Sequence, residues 1–181
     1  MPLFESQLSW LANRAQEYLV SGEETGRMGN AHPSIVPYQT FDASDKPVAL
    51  AVGNDAQFER LCGAMGLPDL AGDERYATNP DRVANREELV AVLQERFSER
   101  TADEWVEGIR DAGVPCGPVN ALSDVFTDGH VLGSGVLGEV EHPKAGTLPL
   151  LLSPVLIDGE RPPVRRPPPT LGQHDAAGGW V

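Results

Sequence analysis

Apolar residues recur at spacings of three and four from Leu3 to Val20, at Phe4, Leu8, Leu11, Ala15, Tyr18 and Leu19, which is the stripe of an amphipathic helix. Trp10 and Ala12 widen the stripe beyond one face, and Ser21-Gly22 with Gly26 end it. A helix so apolar asks for partners on more than one side. It reads as cut from a larger body or docked on a second subunit. After a proline-containing stretch, Tyr38 to Phe41 and the short apolar run Pro47 to Gly53 predict two strands that pair as a hairpin. Asn54 or Asp55 caps a helix that buries Phe58, Leu61, Cys62 and Met65 and stops at Gly66, with Pro68 beyond.

The segment Asp69 to Pro80 has turn composition. From Asp81 to Arg100 the pattern predicts a second helix, with Val83, Leu89, Val90, Val92, Leu93 and Phe97 inward and Arg86, Glu87, Glu95, Arg96 and Glu99 outward. Thr101-Ala102-Asp103-Glu104 is a capping box, and the third helix it opens buries Trp105, Val106 and Ile109 before Gly113. Three helices behind one hairpin make a small α+β unit. Beyond a proline-glycine corner at Val114 to Val119, Ser123 is placed to cap a short helix through Phe126. Val136 to Glu141 and Thr147 to Leu152 then predict a second hairpin across His142 to Gly146. From Ser153 the chain reads as extended. Arg161 to Pro169, with three arginines and five prolines, excludes helix and suits a polyproline-like arm, either an SH3-type ligand or a return strand followed by a surface arm.

Composition narrows the classes. The 181 residues, 40% apolar and 23% charged, suffice for one core and a small second unit. A net charge of −13 argues against a nucleic-acid groove or an anionic membrane surface, both of which need clustered cations. No run approaches the ~20 apolar residues of a membrane span, and no basic region followed by an apolar run opens the chain. Cys62 and Cys116 show no ligand spacing, which suits a reducing cytoplasm and offers no zinc site. Cys62 reads as a small core residue. The acidic cluster Asp69, Asp73, Glu74 and Asp81 lacks the alternation of a calcium loop and reads as a solvated turn. His32, His130, His142 and His174 share no metal spacing and read as exposed or supporting residues. The usual one-line signatures of hydrolase, nucleotide and zinc sites are missing.

One stretch resists the bland reading. Arg27 to Phe41 contains two prolines that exclude helix and central strand, and its glycines admit backbone angles closed to other residues. Ile35, Val36, Tyr38 and Phe41 make it too apolar for a flexible linker, so it should be packed. Gly29-Asn30-Ala31-His32-Pro33 suits a loop whose backbone approaches a ligand, and a structural connection fits equally.

Several separated motifs add a resemblance. Gly-Asn-Ala-His-Pro-Ser-Ile-Val-Pro-Tyr-Gln-Thr-Phe, Ala-Val-Gly-Asn-Asp-Ala-Gln-Phe-Glu-Arg-Leu-Cys, Asn-Pro-Asp-Arg-Val-Ala-Asn-Arg, Gly-Val-Pro-Cys-Gly-Pro-Val-Asn and Leu-Gly-Gln-His, in this order, resemble the family III CoA-transferases, the group of formyl-CoA and carnitine CoA-transferases. The likeness covers nearly the whole chain but only the later part of such a protein. It implies an α/β family member represented mainly by its small α+β domain, residues 26–125, with a linking helix over 1–25 and a return segment with hairpin and proline-rich tail over 126–181. The large-domain portion, with its Rossmann-like sheet, most of the CoA site and the catalytic aspartate, has no counterpart among these residues. In place of the family's C-terminal helix this sequence has the short Asp175 to Val181.

In such enzymes an aspartate attacks the acyl-CoA thioester and CoA is handed to an acceptor carboxylate through covalent intermediates. The resemblance makes Gly29, Asn30, Ala31, His32 and Pro33 the substrate-binding loop that shields those intermediates, with backbone N–H groups available to developing negative charge. It assigns no catalytic residue here: Asp42, Asp45 and Asp55 do not align with the nucleophile and read as turn or cap residues. It implies no cofactor beyond the coenzyme A thioester as substrate, and acyl-CoA and a carboxylic acid as partners once a large domain completes the enzyme, as a homo-oligomer or with a separate large-domain chain. Three readings stay open: an enzyme part inactive alone, a non-catalytic remnant serving binding or assembly, and a fragment of an acyl-CoA racemase.

Overall fold

The N-terminal stripe folds as two helices, where its periodicity predicts one. In the computed structural model, which describes residues 2–24 and 26–174, α1 (Leu3–Ser9) and α2 (Asn13–Ser21) are separated at Trp10 to Ala12. Ala12 sits at φ 46°, a conformation that a continuous right-handed helix does not contain. The break falls where Trp10 and Ala12 departed from the single stripe. No residue of either helix is buried.

The chain divides into two compact units, Met1–Val119 and Asn120–Val181. In the first, β1 (Tyr38–Asp42) and β2 (Pro47–Ala51) form the expected antiparallel hairpin, with Tyr38 opposite Ala51 and Phe41 opposite Val48. Val48, Leu50 and Val52 alternate inward, as the period of a half-buried strand requires. The helix α3 (Asp55–Met65) starts where Asn54 accepts the Gln57 N–H at 2.9 Å and stops at Gly66, whose φ of 68° suits glycine. Its four inward residues, Phe58, Leu61, Cys62 and Met65, are all buried, as the pattern predicts.

The stretch read as a turn is more ordered than its composition suggests. It holds α4 (Pro68–Ala71), a 3-10 turn over Glu74–Tyr76 with Tyr76 buried, and the start of α5 (Asn79–Ala84). Asp73 and Asp81 serve as caps: Asp73 accepts the Arg75 N–H, and Asp81 forms a capping box with Thr78. The helix predicted over Asp81 to Arg100 is therefore two, α5 and α6 (Arg86–Phe97), separated at Asn85, whose φ and ψ of −106° and 27° leave the helical basin. Thr101 and Glu104 make the predicted capping box, and α7 (Ala102–Asp111) buries Trp105, Val106 and Ile109. The last strand, β3 (Cys116–Pro118), extends the sheet in the order β1-β2-β3, with Leu50 opposite Cys116.

Aromatic packing closes this core. Phe41 stacks on Phe97 at 4.9 Å, Phe97 meets Trp105 edge-on at 5.6 Å, and Trp105 Nε1 donates to the Phe97 carbonyl at 2.9 Å. Each such fully buried side chain contributes roughly 1.5–3 kcal/mol over exposure.

In the second unit, α8 (Leu122–Thr127) begins at Ala121 rather than at Ser123, which lies inside the helix. The glycine-broken stretch that follows is a helical turn, α9 (Gly129–Gly133), because Asp128 accepts the N–H groups of both His130 and Val131. The predicted second hairpin is present as β4 (Leu137–His142) and β5 (Gly146–Leu151). From Ser153 to His174 only an isolated bridge between Ile157 and Glu160 is regular, and the Arg161 to Pro169 run is neither helix nor strand. The segment Asp175 to Val181, compared above with a family helix, lies outside the described residues. No described residue of this unit is buried.

Candidate functional site: a loop held from behind

Each end of the central loop is latched to the strand that follows it. The Asn30 side chain pairs with Thr40, with Nδ2 donating to Oγ1 at 2.5 Å and Oδ1 accepting the Thr40 N–H at 3.3 Å. The His32 N–H donates to the Tyr38 carbonyl at 2.9 Å, and the His32 ring stacks on Tyr38 with centroids 5.2 Å apart. Gly29 has φ 60°, so a residue with a side chain is strained there, although an added Cβ would meet no atom within 4 Å. Its requirement is the backbone angle and not a close contact within this chain.

Behind the loop stand three side chains that the sequence reading passed over or pointed outward. Asn79 Oδ1 accepts the Val36 N–H at 3.1 Å while its Nδ2 donates to the Ser34 carbonyl at 2.8 Å, the pairing a strand partner would otherwise supply. Arg86 Nη2 donates to the carbonyls of His32 and Pro33 at 2.9 and 2.7 Å, so its predicted outward placement is wrong. Arg82 is only 1% exposed. Its Nε donates to the Val36 carbonyl at 2.8 Å, its Nη1 to the Tyr76 carbonyl at 3.0 Å and its Nη2 to Asp55 at 2.7 Å, while the guanidinium lies 4.6 Å from the Phe58 ring centroid. A buried guanidinium is tolerated when it is well bonded, and here each of its three nitrogens has an acceptor. In the sequence Asn79, Arg82 and Arg86 stand at i, i+3 and i+7, a one-face spacing that a turn reading of Asn79 and Pro80 hides; in the fold Asn79 and Arg82 lie on α5 and Arg86 opens α6.

The bonding pattern sorts the loop's backbone donors. Within Gly29 to Pro33, Ala31 N–H goes to the Met28 carbonyl, His32 N–H to Tyr38, and proline has none. The N–H groups of Gly29 and Asn30 donate to no protein acceptor among the described residues, and both residues are exposed. The five residues named from the sequence thus divide: Gly29 and Asn30 present backbone donors, Ala31 closes a turn on the Met28 carbonyl, the Asn30 side chain and the His32 N–H fasten the loop, and His32 and Pro33 line a neighbouring groove.

The nearby aspartates have structural work. Asp45 accepts the Ala102 N–H at 2.7 Å at the start of α7, and that bond holds its carboxyl below the usual carboxylate range. Asp55 pairs with Arg82, and Asp42 joins Gln94 through its backbone. Burial pushes the Cys62 thiol up to about 11, against a smaller lowering by Arg82, which removes it as a nucleophile and agrees with its reading as core. Among the described residues no group of three or more His, Cys, Asp or Glu gathers as a metal site, and no helix is long and apolar enough to cross a membrane.

Known proteins share this chain's sequence and fold. It is 40% identical over 172 residues to the human (Homo sapiens) succinyl-CoA:glutarate CoA-transferase, covering 95% of this chain and 39% of that protein. It is 36% identical over 176 residues to the succinate–glutarate CoA-transferase of Agrobacterium fabrum, covering 97% of this chain and 44% of that protein. The chain therefore spans about two fifths of the length of these relatives. The crystal structure of a CaiB/BaiF family protein from Brucella suis superposes with a TM-score of 0.75 at 41% identity, over 92% of this chain and 43% of that one. With the family model for CoA-transferase family III matching residues 1–175, the chain belongs to CoA-transferase family III.

Proposed function

We propose that this chain supplies the small domain and the loop lid of an enzyme that moves CoA from an acyl-CoA to a carboxylic acid. The observation that carries the reading is the loop itself: held at His32 to Val36 by Asn79, Arg82 and Arg86 and at Asn30 by Thr40, it has Gly29 and Asn30 exposed, with N–H groups that donate to no protein acceptor among the described residues. Preorganised donors of this kind stabilise an oxyanion without reorganising during reaction. In the family chemistry an aspartate carboxylate attacks the thioester carbonyl, the C–S bond breaks, and CoA thiolate returns to the aspartyl carbonyl as the first acid leaves. The acceptor carboxylate then attacks that aspartyl thioester, and CoA thiolate, released again, takes the acceptor's acyl group and frees the aspartate. Each addition places negative charge on a carbonyl oxygen, and a lid that excludes water protects the anhydrides and the aspartyl thioester. The nucleophile comes from a portion of the enzyme beyond these 181 residues, and coenzyme A thioester is substrate, with no separate cofactor. Two relatives are named for succinate or succinyl-CoA and for glutarate, and short aliphatic dicarboxylic acids are the substrate class we carry over. The working assembly is a homo-oligomer or a pair with a separate large-domain chain, in the cytoplasm.

The test adds, in trans, the part of the Agrobacterium fabrum relative that lies outside the matched segment, and measures CoA transfer from succinyl-CoA to glutarate. The 181-residue chain alone should be inactive and the pair active. Gly29→Val should then lower turnover about tenfold or more, beyond its cost in stability of about 1–3 kcal/mol. A pair that copurifies yet transfers nothing, or an activity that merely tracks the folded fraction, would sink the proposal.

A further inference from the structure

A groove of about 800 Å³ runs between α2 and the loop, with Leu11 and Val20 as apolar wall and Arg14 and His32 among its polar residues. Two donors there are poorly spent. His32 Nδ1 accepts the Ser34 N–H at 3.2 Å, so the neutral ring carries its proton on Nε2. With one face on Tyr38 and one nitrogen engaged, the ring is oriented, and Nε2–H has no protein acceptor among the described residues. Arg14 Nη1 is taken by Glu17 at 2.8 Å, but its Nη2 rests on the thioether of Met28 at 3.4 Å, a weak acceptor that any carboxylate oxygen outcompetes. Because Glu17 balances Arg14, the groove lacks the excess positive charge that a phosphate or polyanion requires.

We infer that this groove is a subsite for one carboxylate of an aliphatic acid, which His32 Nε2–H and Arg14 Nη2–H hold while its methylenes lie along Leu11 and Val20. The inference rests on reading the loop as substrate-facing, and it names the side chains that receive the acid.

Butyrate is the probe, since it presents one carboxylate and a short chain, and butyramide is its neutral control. Titration of the ¹⁵N-labelled 181-residue chain, followed at the His32 ring and the Arg14 guanidinium, should show saturable binding of butyrate in the millimolar range expected of so small a ligand. Butyramide should bind more weakly. His32→Phe, which keeps the stack on Tyr38, and Arg14→Leu should each weaken butyrate about tenfold, whereas His32→Gln, which restores an N–H donor, should recover most of the loss. Absence of saturation, an affinity unchanged in either His32→Phe or Arg14→Leu, or ring ¹⁵N shifts that place the proton on Nδ1 would overturn it. The last measurement needs no variant. Since no turnover is read, butyrate binding with a silent reconstituted pair rejects the enzyme reading alone, and transfer without butyrate binding rejects the subsite alone.

Discussion

Residues between Val36 and Val114 and the segments on either side of them obey different rules. The middle region contains every buried apolar residue of the described chain, from Val36 to Val114, whereas α1, α2 and the described residues of the second unit, 120–174, bury none. Both kinds of region carry large apolar side chains. Phe4 and Trp10 are 74% and 80% exposed, while Phe97 and Trp105 are 0% and 2% exposed. Local pattern makes helices in both places, but only the middle has facing elements close enough to exclude water. Regular structure is thus a local matter, and stability depends on a second surface. The large apolar residues of the flanks, Phe4 and Trp10 among them, stay exposed in a chain that spans about two fifths of the length of these relatives.

The sharpest test of the buried middle region is Arg82→Leu. It leaves the Val36 and Tyr76 carbonyls without their donor, and urea denaturation should report a loss of about 3–5 kcal/mol. A loss under about 1 kcal/mol would mean that the loop is held without Arg82. Next comes thiol reactivity. At pH 8, iodoacetamide should modify Cys116, which is partly exposed, well before Cys62, whose buried thiol ionises only near 11; mass spectrometry of the digested protein would read the order. Early labelling of Cys62 would show a core that opens readily.

A smaller effect is expected at Asp45. Its folded pKa is depressed, first by the Ala102 N–H, so the ionised carboxylate binds α7 better than the protonated form does. The stability it adds is present above the unfolded carboxylate pKa and disappears as pH falls through the lower folded value. The gap between wild type and Asp45→Asn should therefore be widest near neutrality and close as the pH falls below the ordinary carboxylate range. A gap that widens on acidification has the wrong sign. The smallest effect belongs to the flank: Phe4→Ser with Leu8→Ser should shift the unfolding free energy by no more than about 0.5 kcal/mol while reducing self-association in light scattering. A cost of several kcal/mol would show these helices to be part of the folded core.

Much of the fold is legible in the sequence. A cap at Asn54 or Asp55, the Thr101–Glu104 capping box, Gly66 and the inward residues of α3 and α7 are readable because each signal acts across four residues or fewer. Both hairpins followed from short apolar runs around turn residues. The loop over Gly29 to Pro33 stood out by composition and by resemblance. Its fastening did not. Asn79 and Arg86 meet the loop across 43 to 54 residues of chain, and Arg82 reaches Val36 across 46, so no local window contains both partners. Arginine in a helix is ordinarily solvated, and only the packed positions of Phe58, Asp55 and the Tyr76 turn make an interior seat for Arg82. The same holds for the breaks at Ala12 and Asn85: periodicity carries an apolar stripe straight through them, because it records which residues avoid water and not the direction of the surface that shelters them. Sequence therefore decided the local elements and the family, through short-range bonding and ordered motifs. Tertiary structure decided which cation is buried, which backbone donors of the loop stay exposed and where the stripes bend, since each of these depends on groups that come together only on folding.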